Sequence, residues 1–278
     1  MLNSFKPTTL LLRIRKSILY TSPITKICTF FLKLIYNILS IIVLKNFMFQ
    51  LYHYKPTVKH GPFKGLKYVE ETTGDGALIP ILLGTYESEL FPAIKEFNKN
   101  KYKYIINVGA CDGYYAIGFS LIFPNTKIKA YEIENERFEY MSRMISFNGK
   151  KDQIETFSYK AHDDFLKINS DDRLLVLSDC EGYEFELFDK AVIKNLLNSD
   201  IIIEVHEDIA ESRIEKDFSQ THHCQKIKLD KNTENRWLVN LANYSNLNIR
   251  VSDFLKLYKE NRDDRHYFLI LRSKNHHN

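Results

Sequence analysis

An α/β domain built on a mostly parallel sheet, with helices on both faces, is the architecture this 278-residue chain should adopt. Two observations point there. Between residues 104 and 205, short apolar runs alternate with segments of helical spacing. The runs are also continuous and rich in β-branched residues, the pattern of strands buried on both faces. Composition fits: 44% of residues are hydrophobic and 27% charged, enough for a core and a solvated surface. There is no internal repeat and no low-complexity linker.

The first 56 residues form a basic arm, and 57–278 the domain proper. No acidic residue precedes Glu70, whereas eleven Lys and Arg do, so the remainder is net acidic. Such an arm suits anionic lipid or nucleic acid, or is a solvated face. Within it, KICTFFLKLIYNILSIIVLK (26–45) sets Ile27, Phe30, Phe31, Leu34, Ile35, Ile38, Leu39 and Ile42 at helical spacing. Its charge-free piece, 34–44, is too short for a bilayer core of about 30 Å. Three readings stay open: a helix in the membrane interface, a helix docked on the body, or a span that bridges Lys33. A cleaved signal peptide fits poorly.

The domain then reads in order. HGPFKGLKYVEETTGDG suggests a small hairpin, and GTYESELFPAIKEF a helix capped by Thr85 or Ser88. YIINVG is the first strand, followed by the helix YYAIGFSLIF, which Pro124 closes. KIKAYEIE is the second strand, and NERFEYMSRMISFNG a helix capped by Asn135 and ended by Gly149. IETFSYKA and LLVLSDCEG are the third and fourth strands, YEFELFDKAVIKNLL a single helix, and DIIIEVHE the fifth strand. Residues 208–265 should supply later helices and a cover over the acceptor, and HYFLILRS a last strand. His222, His223 and Cys224 lack a spaced metal partner and read as loop; Trp237 and Arg236 are candidates for an acceptor wall.

Four cysteines (Cys28, Cys111, Cys180, Cys224) never form a C-x-x-C pair, which argues against a zinc ribbon or a disulfide framework and for a reducing cytoplasm. No nucleophile elbow, phosphate-binding loop or kinase signature is present.

Open α/β sheets bind ligands beyond the carboxyl ends of their strands, so the chemistry is read there. After the first strand, GACDG offers Gly109 for close backbone approach to a ligand and Gly113 for a tight turn into the helix. The helix start favours an anion. A dinucleotide fingerprint needs a second glycine where Cys111 stands, and Asp112 would repel a pyrophosphate. A zwitterionic aminoacyl nucleoside tolerates both, so S-adenosylmethionine is favoured over NAD, with a ligand-free turn as the bland alternative. Glu132, 23 residues past Gly109, is placed to accept both ribose hydroxyls; Glu134 is its rival.

The ends of the fourth and fifth strands gather Asp179, Glu181, Glu184, Glu204, His206 and Glu207. His206 or Asp179 is the candidate base for an acceptor hydroxyl, with Glu204 orienting the histidine. Carboxylates so dense also suit a divalent cation, although no residue is assigned as a metal ligand.

In order and spacing, NVGACDGYYAIG, AYEIE, SDCEGYEFELF and IIIEVHE, preceded by GTYESEL, resemble the FkbM-type family of S-adenosylmethionine-dependent methyltransferases over residues 61–207. That resemblance implies a class I methyltransferase (Rossmann-like) seven-stranded sheet. It implies methyl transfer to an oxygen, often of a sugar or natural product. It places Gly109, Ala110, Asp112 and Gly113 around the methionine moiety, Glu132 on the ribose, and Asp179 and Glu181 by the sulfonium or acceptor. Asn107 departs from it: an acid usually stands there, and Asn keeps an acceptor for the ammonium but loses the charge. The implied partner is a small-molecule, glycan or lipid-linked acceptor, with peripheral contact at the inner face of the membrane through residues 10–50. A nucleic-acid methyltransferase is the alternative the basic arm suggests. However, DCEG stands where base methylation generally asks for an Asn/Asp-Pro-Pro-aromatic string, so no nucleic acid is expected. A non-catalytic, membrane-associated nucleoside-binding protein is the third reading.

Overall fold

Seven strands form one sheet in the order β3-β2-β1-β4-β5-β7-β6. They come from a computed structural model that describes residues 56–69, 78–205, 208–228 and 267–276. The arm up to residue 55, His206, Glu207, Arg236 and Trp237 lie outside the described residues. All described residues belong to the unit that begins at Tyr54. No helix among them is long and apolar enough to cross a membrane.

The strands are β1 (Tyr104–Val108), β2 (Lys127–Tyr131), β3 (Ile154–Phe157), β4 (Leu175–Ser178), β5 (Asp200–Val205), β6 (His222–Lys228) and β7 (Tyr267–Ser273). The first five run parallel, with Ile105 opposite Ile128 and Leu175, and Ser178 opposite Ile203. β7 enters antiparallel between β5 and β6. The sheet is thus mostly parallel, as the continuous apolar runs require, with an antiparallel pair completing one edge.

Both faces are covered. Ile106 and Val108 share one core with Phe165, Leu187, Val192 and Phe218, while the alternate residues Ile105 and Asn107 are buried on the other face. Helices α1 (Leu78–Leu83) and α2 (Phe91–Phe97) precede the sheet. Then come α3 (Tyr114–Ile122), α4 (Asn135–Phe147), α5 (His162–Phe165), α6 (Glu184–Leu187), α7 (Lys190–Asn195) and α8 (Asp208–Phe218). The segment before α1 folds back on itself through an antiparallel bridge between Thr57 and Lys67. It presses Phe63 onto α3 at Gly118, where any Cβ would sit 2.5 Å from the Phe63 ring. At the amino edge of the sheet, fully buried Asp200 accepts hydrogen bonds from Tyr102 (2.8 Å) and Arg173 (2.9 Å), which hold β5 in place.

Several expectations need correction. The predicted hairpin covers residues 57–67; its later part lies outside the described residues. Neither Thr85 nor Ser88 caps a helix by its side chain: a 3₁₀ turn, Ser88–Leu90, starts from Glu87 in the left-handed region (φ 50°) and leads into α2. Asn135 is the first residue of α4, and Glu134 holds the cap position in extended geometry. The helix expected after β4 is two, because Asp189 accepts from the backbone N–H groups of Ala191 and Val192 and starts α7 afresh. Finally, 222–224 is not loop. His222 is buried in β6, its Nε2–H donating to the Ser199 carbonyl at 3.0 Å.

Candidate functional site

The carboxyl ends of β1, β2 and β4 frame a cleft of about 390 Å³. It straddles the junction between β1 and β4, where the chain switches from winding toward β3 to winding toward β5. Its size lies in the range of small-molecule sites.

The floor is the turn from β1 into α3. Gly109 has φ 68°, and a Cβ there would lie 1.7 Å from the Asp179 carbonyl oxygen. The contact between the β1 and β4 turns therefore requires the glycine by itself, and Gly109 also lines the cleft. Cys111 follows in the left-handed region (φ 48°) and lines the cleft at the second-glycine position of a dinucleotide fingerprint. Asp112, expected beside the cofactor, does not line the cleft. Its Oδ1 accepts the Tyr114 N–H at 2.9 Å and its Oδ2 the Tyr68 hydroxyl at 2.8 Å. The anion that the start of α3 attracts is thus the chain's own carboxylate. Gly113 caps α3 with φ 85°, and Ala110 donates its N–H to the Tyr131 carbonyl; both serve the turn and neither lines the cleft.

Glu132 follows the last residue of β2 and lines the cleft while only 6% exposed. One carboxylate oxygen accepts the Cys111 N–H at 2.9 Å and the other the Glu134 N–H at 2.8 Å. The carboxylate is thereby fixed in orientation, and one lone-pair site on each oxygen remains for a ligand. Glu134 also borders the cleft, but its carboxylate is held by the Arg137 guanidinium at 2.8 Å. Between them Ile133, 63% exposed, gives the cleft an apolar wall.

On the β3 side, Tyr131 and Tyr159 both donate their hydroxyls to Asp164, at 3.0 and 2.9 Å. Burial, then the Asp164 charge, raises the Tyr131 phenol well above its ordinary range. Burial works against the Asp164 charge, but hydrogen bonds from Lys167, Tyr159 and Tyr131 outweigh it and hold the carboxyl below its usual value.

On the β4 side, Asp179, Cys180, Glu181 and Tyr183 line the cleft. Cys180 is held as a thiol: burial, then the neighbouring Glu184 charge, drives its pKa far up, so it is no nucleophile at neutral pH. Lys160 lies over the Tyr183 ring, 4.3 Å from its centroid, at the rim.

The remaining sequence candidates fall elsewhere. Asn107 is 1% exposed within β1, off the cleft lining; among the described residues neither its amide nitrogen nor its oxygen has a hydrogen-bond partner. Glu204 is buried at the end of β5, opposite Phe268, and does not line the cleft. His206, the candidate base that Glu204 would orient, lies outside the described residues. Among the described residues no group of three His, Cys, Asp or Glu is placed to hold a metal ion. Sequence reasoning passed over Ile133, Tyr159, Lys160 and Tyr183. The rule that found Glu132 would have found them too, since each follows a parallel strand's carboxyl end.

Neither a family model nor a curated protein matches the sequence. By chain path the protein is similar to three crystal structures, among others. Precorrin-6y C5,15-methyltransferase from Geobacter metallireducens shares 12% identity at TM-score 0.45, over 74% of this chain and 95% of that one. The O-methyltransferase TomG from Streptomyces achromogenes shares 11% at 0.46, over 69% and 81%. A ribosomal protein L11 methylase from Lactobacillus delbrueckii shares 14% at 0.44, over 69% and 80%. These are likenesses of layout, and the functional reading rests on this chain's own residues.

Proposed function

We propose that the chain is an S-adenosylmethionine-dependent methyltransferase of the FkbM type, transferring a methyl group to a hydroxyl oxygen of a glycan, lipid-linked intermediate or natural product. The observation that carries this reading is Glu132: a strand-end carboxylate, oriented by two backbone N–H groups, on the wall of the cleft. A vicinal diol, such as that of a ribose, matches two parallel acceptor sites. Cys111 in place of glycine and Asp112 across the start of α3 both disfavour a pyrophosphate, which separates the site from a dinucleotide one. Asn107 precedes the cleft-lining Val108, and its amide has no hydrogen-bond partner among the described residues, which supports the same reading. A buried polar group without a partner costs about 1–3 kcal/mol, a cost that an ammonium or carboxylate reaching it would remove.

S-adenosylmethionine supplies an electrophilic methyl on sulfur. Glu132 would hold the ribose and Ile133 cover the base. Gly109 and Asn107 would lie by the aminoacyl end, with Asp179 and Glu181 nearest the reacting centre. Held there, S-adenosylmethionine would supply its methyl to an acceptor oxygen placed in line with the carbon–sulfur bond, the electron pair of that bond being left on sulfur. The hydroxyl proton passes to a base, for which Asp179 is the described candidate and His206, oriented by Glu204, the other. Alignment in line is the main contribution such a site makes. The basic, apolar arm supports an acceptor at or near a membrane surface.

The test is calorimetry of the full chain with S-adenosylhomocysteine, followed by labelled-methyl transfer to fractionated cell glycans and lipids. Saturable binding, and label in a glycan or lipid fraction, are expected. Binding of NAD with no binding of S-adenosylhomocysteine would overturn the reading.

A further inference from the structure

The turn that carries Asp179, Cys180 and Glu181 into the cleft is an awkward piece of backbone. Glu181, a residue with a side chain, sits at φ 52°, and Gly182 follows at φ 97°. A non-glycine residue in the left-handed region is strained and persists only where its surroundings hold it. On one side the turn is held by the β1 turn: the Asp179 N–H donates to the Val108 carbonyl at 3.0 Å, and Gly109 lies against the Asp179 carbonyl. On the other side the Tyr183 N–H donates to the Cys180 carbonyl at 3.2 Å, and a side-chain contact comes from Glu184, at the start of α6. Its Oε1 accepts the Cys180 N–H at 3.1 Å and stands 3.5 Å from the Cys180 sulfur. Glu184 is a carboxylate only 1% exposed, and it does not line the cleft. A carboxylate so deeply buried is kept there by its partners, and the Cys180 N–H is one of them.

We infer that Glu184 is the positioning residue of the site: by bonding the Cys180 backbone it fixes the strained turn and so aims Asp179 and Glu181 into the cleft. The inference rests on the methyltransferase reading for what the aim is used for, but not for the brace itself. The same carboxylate places a negative charge beside the Cys180 thiol. A thiolate there would compete with the acceptor for an electrophilic methyl, forming a thioether on the protein. Glu184 therefore sets the geometry, and its charge adds to burial in keeping this cleft sulfur protonated.

The test compares Glu184→Gln and Glu184→Ala with the natural chain in two measurements. One is S-adenosylhomocysteine affinity. The other is the alkylation rate of Cys180 by iodoacetamide at mildly alkaline pH, followed at that residue by mass spectrometry, which needs no nucleoside. Gln keeps an acceptor oxygen at the same reach but discards the charge. It should hold affinity within about threefold, while Cys180 alkylates at least about tenfold faster. Ala loses both and should bind at least about tenfold more weakly. An Ala variant that binds as the natural chain does would overturn the positioning role, and unchanged Cys180 reactivity in the Gln variant would overturn the effect of the Glu184 charge on the thiol. Should Ala fail to fold, Glu184→Asp, which keeps the charge but shortens the reach to the Cys180 N–H, takes its place, and undiminished affinity there overturns the positioning role. Should the natural chain not bind S-adenosylhomocysteine, the methyltransferase reading falls, while alkylation of Cys180 still judges the brace: the contact-losing variant should alkylate faster than the Gln variant, and equal rates would overturn it.

Discussion

Replacing Glu132 with Gln separates what this carboxylate does for the fold from what it does for a ligand. Its two oxygens accept the N–H groups of Cys111 and Glu134 at 2.9 and 2.8 Å. A Gln amide has one oxygen, so its NH₂ group must face one of these donors, and one internal bond to a charged acceptor is lost. Such bonds contribute about 1.5–3 kcal/mol, so the urea midpoint should fall by a corresponding amount. The ligand loses one charge-assisted bond to its diol, of similar size. S-adenosylhomocysteine affinity should therefore fall by about 10- to 150-fold. The deciding control is the 2′,3′-dideoxy analogue, which cannot make the diol bond. With it, the natural chain and Glu132→Gln should differ by less than about threefold. Equal losses with both ligands, measured by calorimetry, would mean that the carboxylate acts only by bracing the turn, and the assignment of the diol to Glu132 would be wrong.

Three further outcomes follow from the same geometry. Gly109→Ala should destabilise the chain by at least about 3 kcal/mol in urea unfolding, because its Cβ meets the Asp179 carbonyl and its φ of 68° adds strain; a loss under 1 kcal/mol would contradict that contact. Asn107→Leu keeps the shape and removes the unpartnered amide. Stability should hold or rise, yet S-adenosylhomocysteine binding should weaken about tenfold, whereas undiminished binding would remove Asn107 from the site. Burial lowers the His222 pKa below its ordinary 6.5, so the unfolded chain binds the extra proton first as pH falls. The stability that His222 contributes should be present above pH 6.5 and be lost progressively below it. His222→Gln should flatten the pH dependence of the urea midpoint between pH 7.5 and 5.5, and an unaltered slope would refute the assignment.

The parts of this fold that were legible beforehand are those written in burial. β1, β4 and β5 are apolar runs with no competing reading; β2 shows instead as KIKAY, where Ile128 and Ala130 alternate with Lys127 and Lys129, and Glu132 was found because it follows that strand. β6 was missed because it is an edge strand: HHCQKIK is polar and its residues are largely exposed, so only His222 and the pairing with β7 reveal it. The break between α6 and α7 carried a signal that periodicity concealed, since Asp189 is an ordinary N-cap residue inside an apolar repeat. Asp112 and Gly109 were picked out along the chain, but the contacts that occupy Asp112 and the second demand on Gly109 were not legible. Whether a carboxylate faces a ligand or the protein's own N–H groups depends on Tyr68, which lies 44 residues away. A backbone-to-backbone contact, such as Gly109 with Asp179, leaves no mark in side-chain pattern at all.

A crystal structure of the chain with S-adenosylhomocysteine examines the core assertion most directly. The account predicts the nucleoside between the β1 and β4 turns, its two ribose hydroxyls each within hydrogen-bond distance of a Glu132 oxygen. A nucleoside bound elsewhere, or one in the cleft with its sugar turned from Glu132, would contradict it.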